Sequence, residues 1–238
     1  MKIEFFHDVI CSFCFPMSAR MRKLAEEYEG LEIQHRSFAL GWDGEDFIRS
    51  FGSREAVKAE VLGHWAQANE NDEAHRFNIE GMSRTDFNFP LSKNPLLAAK
   101  AAGLLGGEEA YWDAFDRIQH KLFVENKNIE EPGVLEEAVQ EAGLPLTQWQ
   151  AQFGKAETEE AVLLDLERAR SYGVRSVPTL VINGKYAVAG ALSRKELETL
   201  LERIAREEGE VLAKAQSLQE AGAGASCSLT DRGWECKD

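Results

Sequence analysis

The feature that most constrains this chain is an apolar strand that runs directly into two cysteines two residues apart, with a helical pattern starting behind them. The stretch reads Phe5-Phe6-His7-Asp8-Val9-Ile10-Cys11-Ser12-Phe13-Cys14-Phe15-Pro16. Lys2–His7 alternates and is rich in aromatics, which predicts a strand. Met17, Met21, Leu24, Ala25 and Tyr28 then recur at helical spacing, and Gly30 stops the pattern, so a helix is expected over Phe13–Tyr28. Pro16 falls in its first turn, where proline is tolerated. Two intervening residues let both sulfurs sit on one helical turn. With Cys11 at the helix start, unpaired backbone N–H groups and the helix dipole favour its thiolate. A thiolate attacks disulfides, and a second nearby cysteine resolves the mixed disulfide. The same spacing is half of many zinc sites, and two incidental core thiols would also satisfy it.

Length and charge narrow the classes. The chain has 238 residues, enough for one large domain or one domain carrying an inserted lobe. Its formal net charge is −14, which disfavours nucleic acid and anionic membrane surfaces as partners. No run reaches the roughly 18 apolar residues of a membrane span. The sequence opens on strand residues without a basic start and an apolar h-region, so no secretory signal is expected. The expected compartment is therefore cytoplasmic, where two cysteine pairs read better as redox or metal groups than as structural staples.

Leu31–Phe38 alternates apolar and polar residues, which gives a second strand, expected parallel to the first. The following 110 or so residues are helical in character. Helix is expected from Trp42 to about Glu73, a loop over Met82–Pro90, and a helix over Leu96–Leu105 started by Asn94 as cap with Pro95 at its first position. Gly106-Gly107 ends it. Glu108–Phe123 is amphipathic, with Tyr111, Trp112, Phe115, Ile118 and Leu122 on one face, read as packing. Two short helices follow, divided by Gly143-Leu144-Pro145. Glu157–Tyr172 is a strong helix. Thr179–Ile182 and Tyr186–Ala189 flank Asn183-Gly184, a hairpin signal. Ser193 with Glu196 forms a capping box for a last helix. Beyond Gln216 the tail is rich in Ala and Gly and carries Cys227 and Cys236.

The order of elements is strand, helix, strand, helical insertion, helix, strand, strand, helix. That is an α/β thioredoxin-like fold with a large all-α insertion. The expected division is 1–40 with 156–207 as the thioredoxin-like domain, 41–155 as an inserted helical domain with a small core of its own, and 208–238 as a C-terminal extension. Val177-Pro178 falls just before the third strand, where a proline lacks a ladder donor and needs a special position. An ordinary trans-proline loop ahead of an edge strand would also fit.

Cys-x-x-Cys after the first strand, the helical insertion, and Gly173-Val174-Arg175-Ser176-Val177-Pro178-Thr179 leading into Ile182-Asn183-Gly184-Lys185-Tyr186 resemble the DsbA-like thioredoxin family, in its FrnE-like dithiol oxidoreductase branch. The resemblance covers about residues 1–207. It implies a thiol–disulfide oxidoreductase or isomerase acting on protein substrates, with Cys11 as nucleophile, Cys14 as resolving thiol and a cis peptide before Pro178. It implies no cofactor. Substrate peptide would pair with the backbone edge at Val177, beside Ser12 and Phe13. The sequence departs from the branch in two places. Ser12-Phe13 stands where Pro-Trp is usual, and Ala99-Lys100 where a His-Arg pair is common.

Two other readings compete. A glutathione-dependent isomerase or transferase shares the architecture but usually keeps one nucleophile, often serine. A non-catalytic interaction module would use the helical lobe and the Val177 edge. Small thiols such as glutathione remain candidate partners. Cys227 and Cys236 read as an auxiliary redox pair, a static clip, part of a zinc site, or free thiols. His7 reads as a tuning group for the thiolate or as a packing residue. Glu4, expected on the opposite face of the strand, has a claim as a buried proton acceptor.

Overall fold

The computed structural model describes residues 1–215 with their side chains, together with the backbone of 226–230 and 233–237. Four strands form one sheet: β1 (Lys2–His7), β2 (Glu32–Ser37), β3 (Thr179–Ile182) and β4 (Tyr186–Ala189), in the order β2-β1-β3-β4. β1 pairs parallel with β2 and antiparallel with β3, and β3 pairs antiparallel with β4. The parallel pair needs a crossover, supplied by α1 (Cys14–Glu27).

Strand alternation decides what covers each face. Ile3 and Phe5 of β1 pack with Met17, Met21 and Leu24 of α1 and with Leu197, Leu201 and Ile204 of α9 (Arg194–Glu208). Phe6 and Val181 face the other way, against Ala169 of α8 (Ala156–Ser171) and Val174. Asn183 (φ 51°) and Gly184 (φ 66°) turn the β3–β4 hairpin through the left-handed region, as the Asn-Gly pair predicts. Ser193 and Glu196 form the predicted capping box of α9.

The edge strand β2 is closed by side chains. The His35 amide donates to Glu108 Oε2 and the Ser37 amide to Asp165 Oδ2, each at 2.9 Å. Asp165 is in turn paired with Lys100 and Arg36. Two amides that would otherwise recruit another strand are thereby satisfied within the fold.

Between β2 and α8 run α2 (Gly44–Phe51), α3 (Arg54–Asn71), α4 (Ile79–Ser83), α5 (Lys93–Phe123), α6 (Pro132–Glu141) and α7 (Leu146–Phe153). Several boundaries differ from expectation. The stretch from Trp42 to Glu73 is two helices, parted at Gly52-Ser53, because Gly52 adopts φ 82° and Ser53 caps α3 through the Ala56 amide. α4 occupies the start of the expected 82–90 loop, capped by Asn78. Ser92, not Asn94, precedes α5, which puts Pro95 at its third residue. The Gly106-Gly107 break appears as a kink within α5, where Gly107 (φ 76°, ψ −165°) leaves helical geometry.

The insertion does not keep its core to itself. Val9, Ile10, Cys11, Cys14 and Phe15 belong to the same buried cluster as Trp65, Phe89, Phe115 and Trp149. The cysteine turn is therefore packed into the helical lobe. After α9 the chain returns along α1. The Glu29 amide donates to Ala213, and the Ala215 amide to Glu27. The strands β5 (Ser226–Thr230) and β6 (Gly233–Lys237) form a separate antiparallel pair.

Candidate active site

The site is built where β1 runs out. The Cys11 amide donates to the Asp8 carbonyl at 3.2 Å, closing a turn. The Cys14 and Phe15 amides then donate to the Cys11 and Ser12 carbonyls at 3.1 and 3.2 Å, tightening the entry into α1. Cys11 thus sits three residues ahead of the first residue of α1 rather than on its first turn, and these two first-turn donors serve its own carbonyl and that of Ser12.

Both cysteines are free thiols and both are buried, but they are not equivalent. Cys11 lines a cavity of about 320 Å³, while Cys14 does not. The Cys11 thiol donates to the Val177 carbonyl at 3.5 Å. Burial pushes the Cys14 thiol well above the ordinary cysteine range, and its hydrogen bond with Cys11 and the charge of Cys11 push the same way. The Asp8 amide acts in the opposite direction by donating to the Cys14 sulfur. The Val177–Pro178 peptide bond is cis. Val177 is half-buried and lines the cavity with Ser12 and Phe13, whereas Pro178 is buried behind it.

The opposite wall of the cavity comes from the helical lobe: Phe47 and Phe51 of α2, Val61 and Trp65 of α3, and Phe89. Nothing in the periodicity of these residues distinguishes a wall facing Cys11 from a core. The Trp65 indole N–H is buried without a hydrogen-bond partner among the described residues.

Asp8 is the residue that sequence reasoning left without a role. Its carboxylate is fully buried, and among the described residues no cation pairs with it. It accepts from the Leu40 amide (2.6 Å), the Ser92 hydroxyl (2.6 Å) and the Ile10 amide (3.3 Å). Burial raises its pKa to about 6, although these donors oppose the rise. The signal was an acidic residue within an otherwise apolar run, three positions before the first cysteine.

Two expected groups lie elsewhere. The imidazole of His7 is engaged with His35, Nε2 to Nδ1 at 3.0 Å, among Phe5, Tyr111 and Phe115. Glu4 is no raised proton acceptor. Burial pushes its carboxyl up, but donors from Arg168, Arg36 and Tyr172 more than reverse this and hold it at about 2. Ala99 and Lys100 are both buried in α5, Lys100 against Asp165. Cys227 and Cys236 are register partners across β5 and β6, and their side chains lie outside the described residues. Among the described residues no group of three or more His, Cys, Asp or Glu side chains is placed to hold a metal ion.

A four-stranded sheet with a two-cysteine turn at the end of its first strand, a cis-proline facing that turn and a helical lobe between its halves defines a thioredoxin-fold protein. The chain belongs to the DSBA-like thioredoxin domain family, whose model matches residues 2–204. No curated protein matches it in sequence. Among solved structures it is similar to a candidate protein disulfide isomerase from Nitrosomonas europaea (TM-score 0.71, 18% identity, 87% of this chain and 98% of that one). It is also similar to the cytosolic disulfide reductase DsbM from Pseudomonas aeruginosa (TM-score 0.66, 21% identity, 85% and 100%), a protein also solved with GSH. A third is the probable DsbA oxidoreductase SCO1869 from Streptomyces coelicolor (TM-score 0.65, 21% identity, 99% and 98%). At these identities the likeness establishes the fold.

Proposed function

We propose that the chain is a thiol–disulfide oxidoreductase acting on protein thiols and disulfides, of the FrnE-like branch, with Cys11 as the exchanging sulfur and Cys14 as the resolving one. The observation that carries this is the asymmetry of the pair. Cys11 faces a cavity and the Val177 carbonyl, while Cys14 is sealed behind it with its thiol held protonated.

In the oxidised enzyme a substrate thiolate attacks Cys11 Sγ. The Cys11–Cys14 bond breaks, and Cys14 leaves with the electron pair and takes up a proton. A second substrate thiolate then attacks the substrate sulfur of the mixed disulfide, and Cys11 departs. The substrate loses two electrons as a disulfide forms, and the enzyme gains them as two thiols. Run in reverse, Cys11 attacks a substrate disulfide and Cys14 releases it. The backbone of Val177 pairs with extended substrate beside Ser12 and Phe13, in front of Pro178. No cofactor enters either direction. A small thiol such as glutathione supplies the electrons, or its disulfide takes them up, a role supported by the neighbour solved with GSH. The cytosolic neighbour supports a cytoplasmic site of action. The register of Cys227 with Cys236 supports their serving as an auxiliary redox pair.

Replacing each cysteine separately tests the reading. Cys11→Ser abolishes insulin reduction and the refolding of scrambled ribonuclease. Cys14→Ser accumulates a mixed disulfide at Cys11, visible by mass spectrometry. Saturable glutathione binding with turnover independent of Cys14 would instead mark a glutathione-dependent isomerase or transferase. Wild-type protein without exchange activity would mark an interaction module.

A further inference from the structure

The cavity in front of Cys11 has mostly apolar walls, and two of its lining residues titrate: Cys11 on the cysteine turn and His64 on α3. Helical spacing sets His64 there. Val57, Val61, His64, Trp65 and Ala68 recur at intervals of three and four, as one stripe of α3. Val57, Trp65 and Ala68 are buried and His64 is exposed, which puts its ring at the cavity mouth. The chain has five histidines. Four are engaged, His7 with His35, His75 with the Asn69 carbonyl at 2.7 Å and His120 with Glu125 at 3.6 Å, and among the described residues His64 has no such partner. The next residue, Trp65, is 1% exposed and its N–H is likewise unpaired among the described residues. The α3 wall thus holds two groups with unused hydrogen-bonding capacity, where packing alone calls for none.

The charged groups around His64 are few. On α3, Arg54 pairs with Glu130, Lys58 donates to Thr85, and Glu60 and Glu70 are exposed. On α2, which packs against α3, Arg49 pairs with Asp46 and Glu45 is exposed. On α4, Glu80 pairs with Arg84 just beyond it. From the cysteine turn the facing group is Cys11, whose thiol donates to the Val177 carbonyl rather than to His64. Cys11 and His64 therefore stand on facing walls without bonding to each other, and what they can share is a molecule between them. The cavity holds about 320 Å³. A benzene molecule fills an enclosed site of about 150 Å³, so there is room for a disulfide and its first substituents.

We propose that His64 is a catalytic residue of the exchange reaction, the general acid for the substrate sulfur that Cys11 does not bond to. The inference rests on the proposed thiol–disulfide function and adds a second group to it. Cys11 Sγ bonds to the near sulfur as the substrate S–S bond breaks. The far sulfur departs with the electron pair, and an alkyl thiolate leaving into an apolar cavity is both basic and poorly solvated. The His64 imidazolium gives it a proton, becomes neutral imidazole, and regains a proton from water at its exposed edge. In the opposite direction neutral His64 takes the proton of the incoming substrate thiol.

The test compares two uncharged disulfides on the reduced protein. Bis(2-hydroxyethyl) disulfide releases a basic alkyl thiolate that needs a proton. Bis(4-nitrophenyl) disulfide releases an acidic aromatic thiol that leaves as the anion. Formation of the Cys11–Cys14 disulfide is followed by rapid quench and peptide mass spectrometry, which keeps Cys227 and Cys236 out of the readout. In His64→Gln the ratio of the alkyl to the aromatic rate is expected to fall about tenfold, the loss being held down because water reaches an exposed site. In wild type that ratio is expected to fall as the pH rises from 5 to 8, where an imidazole loses its proton, and in His64→Gln to be flat. A purely structural His64 would slow both disulfides together and leave the ratio unchanged, which overturns the proposal. A pH dependence of the ratio that survives in His64→Gln overturns it equally. Should His64→Gln not fold, the wild-type ratio decides alone, and a flat one overturns the proposal. Wild type that reacts with both disulfides while the ratio ignores His64 removes this inference only, whereas wild type that reacts with neither removes the thiol–disulfide function as well.

Discussion

The imidazoles of His7 and His35 meet Nε2 to Nδ1 at 3.0 Å, and the two remaining ring nitrogens, His7 Nδ1 and His35 Nε2, have no partner among the described residues. Whichever ring donates, one N–H and one lone pair are left orphaned. Burial holds both rings well below the ordinary histidine pKa, with the charge of Lys100 acting in the same direction on each. The folded chain therefore keeps them neutral, while the unfolded chain protonates them below about 6.5. Stability from this pair is present above that pH and falls as the pH drops through it, by about 1.4 kcal/mol per histidine per pH unit. Urea unfolding at pH 7 and pH 5.5 checks this. The double variant His7→Phe/His35→Leu should lose about 2–3 kcal/mol less than wild type between the two.

Asp8 acts with the opposite sign. Its pKa is raised from 3.8 to about 6 in the folded chain. The folded state binds the extra proton between those values, so this contribution is full below about 3.8 and is lost as the pH rises to about 6. The whole window is worth about 3 kcal/mol. Asp8→Asn removes the dependence. The stability difference between wild type and Asp8→Asn, followed by urea unfolding from pH 4 to 7, should therefore move in favour of the variant by up to that amount and level off above pH 6.

How much of this was legible in the chain depends on the kind of signal. The strand, the two cysteines and the helix at residues 2–28 declare themselves through alternation, helical period and Gly30, all local. The hairpin at Asn183-Gly184 and the cap at Ser193 are local as well, and the structure follows them closely. The placing of Glu4 against Arg36 and Arg168, and of His7 against His35, depends on residues 28 to 164 positions away. A strand pattern says which face a side chain takes but not what covers that face. The cavity wall was not legible for the same reason. Phe47, Trp65 and Phe89 come from three separate segments, and only the packing of the lobe onto the cysteine turn brings them together. Asp8 was visible as an oddity, a charge within an apolar run, but its meaning lies in Leu40 and Ser92.

Gly41 permits one of those contacts. A Cβ at residue 41 would stand 2.2 Å from the Phe47 ring, closer than any real contact. Phe47 is buried and lines the cavity beside Cys11. Gly41→Ala must therefore push the ring or shift the backbone that supplies the Leu40 amide to Asp8. Overpacking of this kind costs about 1–3 kcal/mol. The variant should melt earlier, and its rate of disulfide exchange should fall more than that of Gly63→Ala, where the added Cβ meets nothing within 4 Å.

Glu4 shifts the opposite way from Asp8. Both are acidic residues in or beside β1, and both are buried. Glu4 differs in having two cations on it, Arg36 Nε at 2.8 Å and Arg168 Nη2 at 2.7 Å, with the Tyr172 hydroxyl donating as well at 2.9 Å. With its carboxyl held at about 2 against an ordinary 4.5, its contribution is present above about 4.5 and is lost as the pH falls towards 2. Glu4→Gln leaves Arg168 without its anion and Arg36 with Asp165 alone. Removing one member of a buried pair costs several kcal/mol, and the partial exposure of Arg36 and Arg168 reduces this to about 1–3 kcal/mol. Because Glu4 lies on the α8 face of the sheet, away from the cysteine turn, the variant should unfold at lower urea while its rate of insulin reduction stays that of wild type.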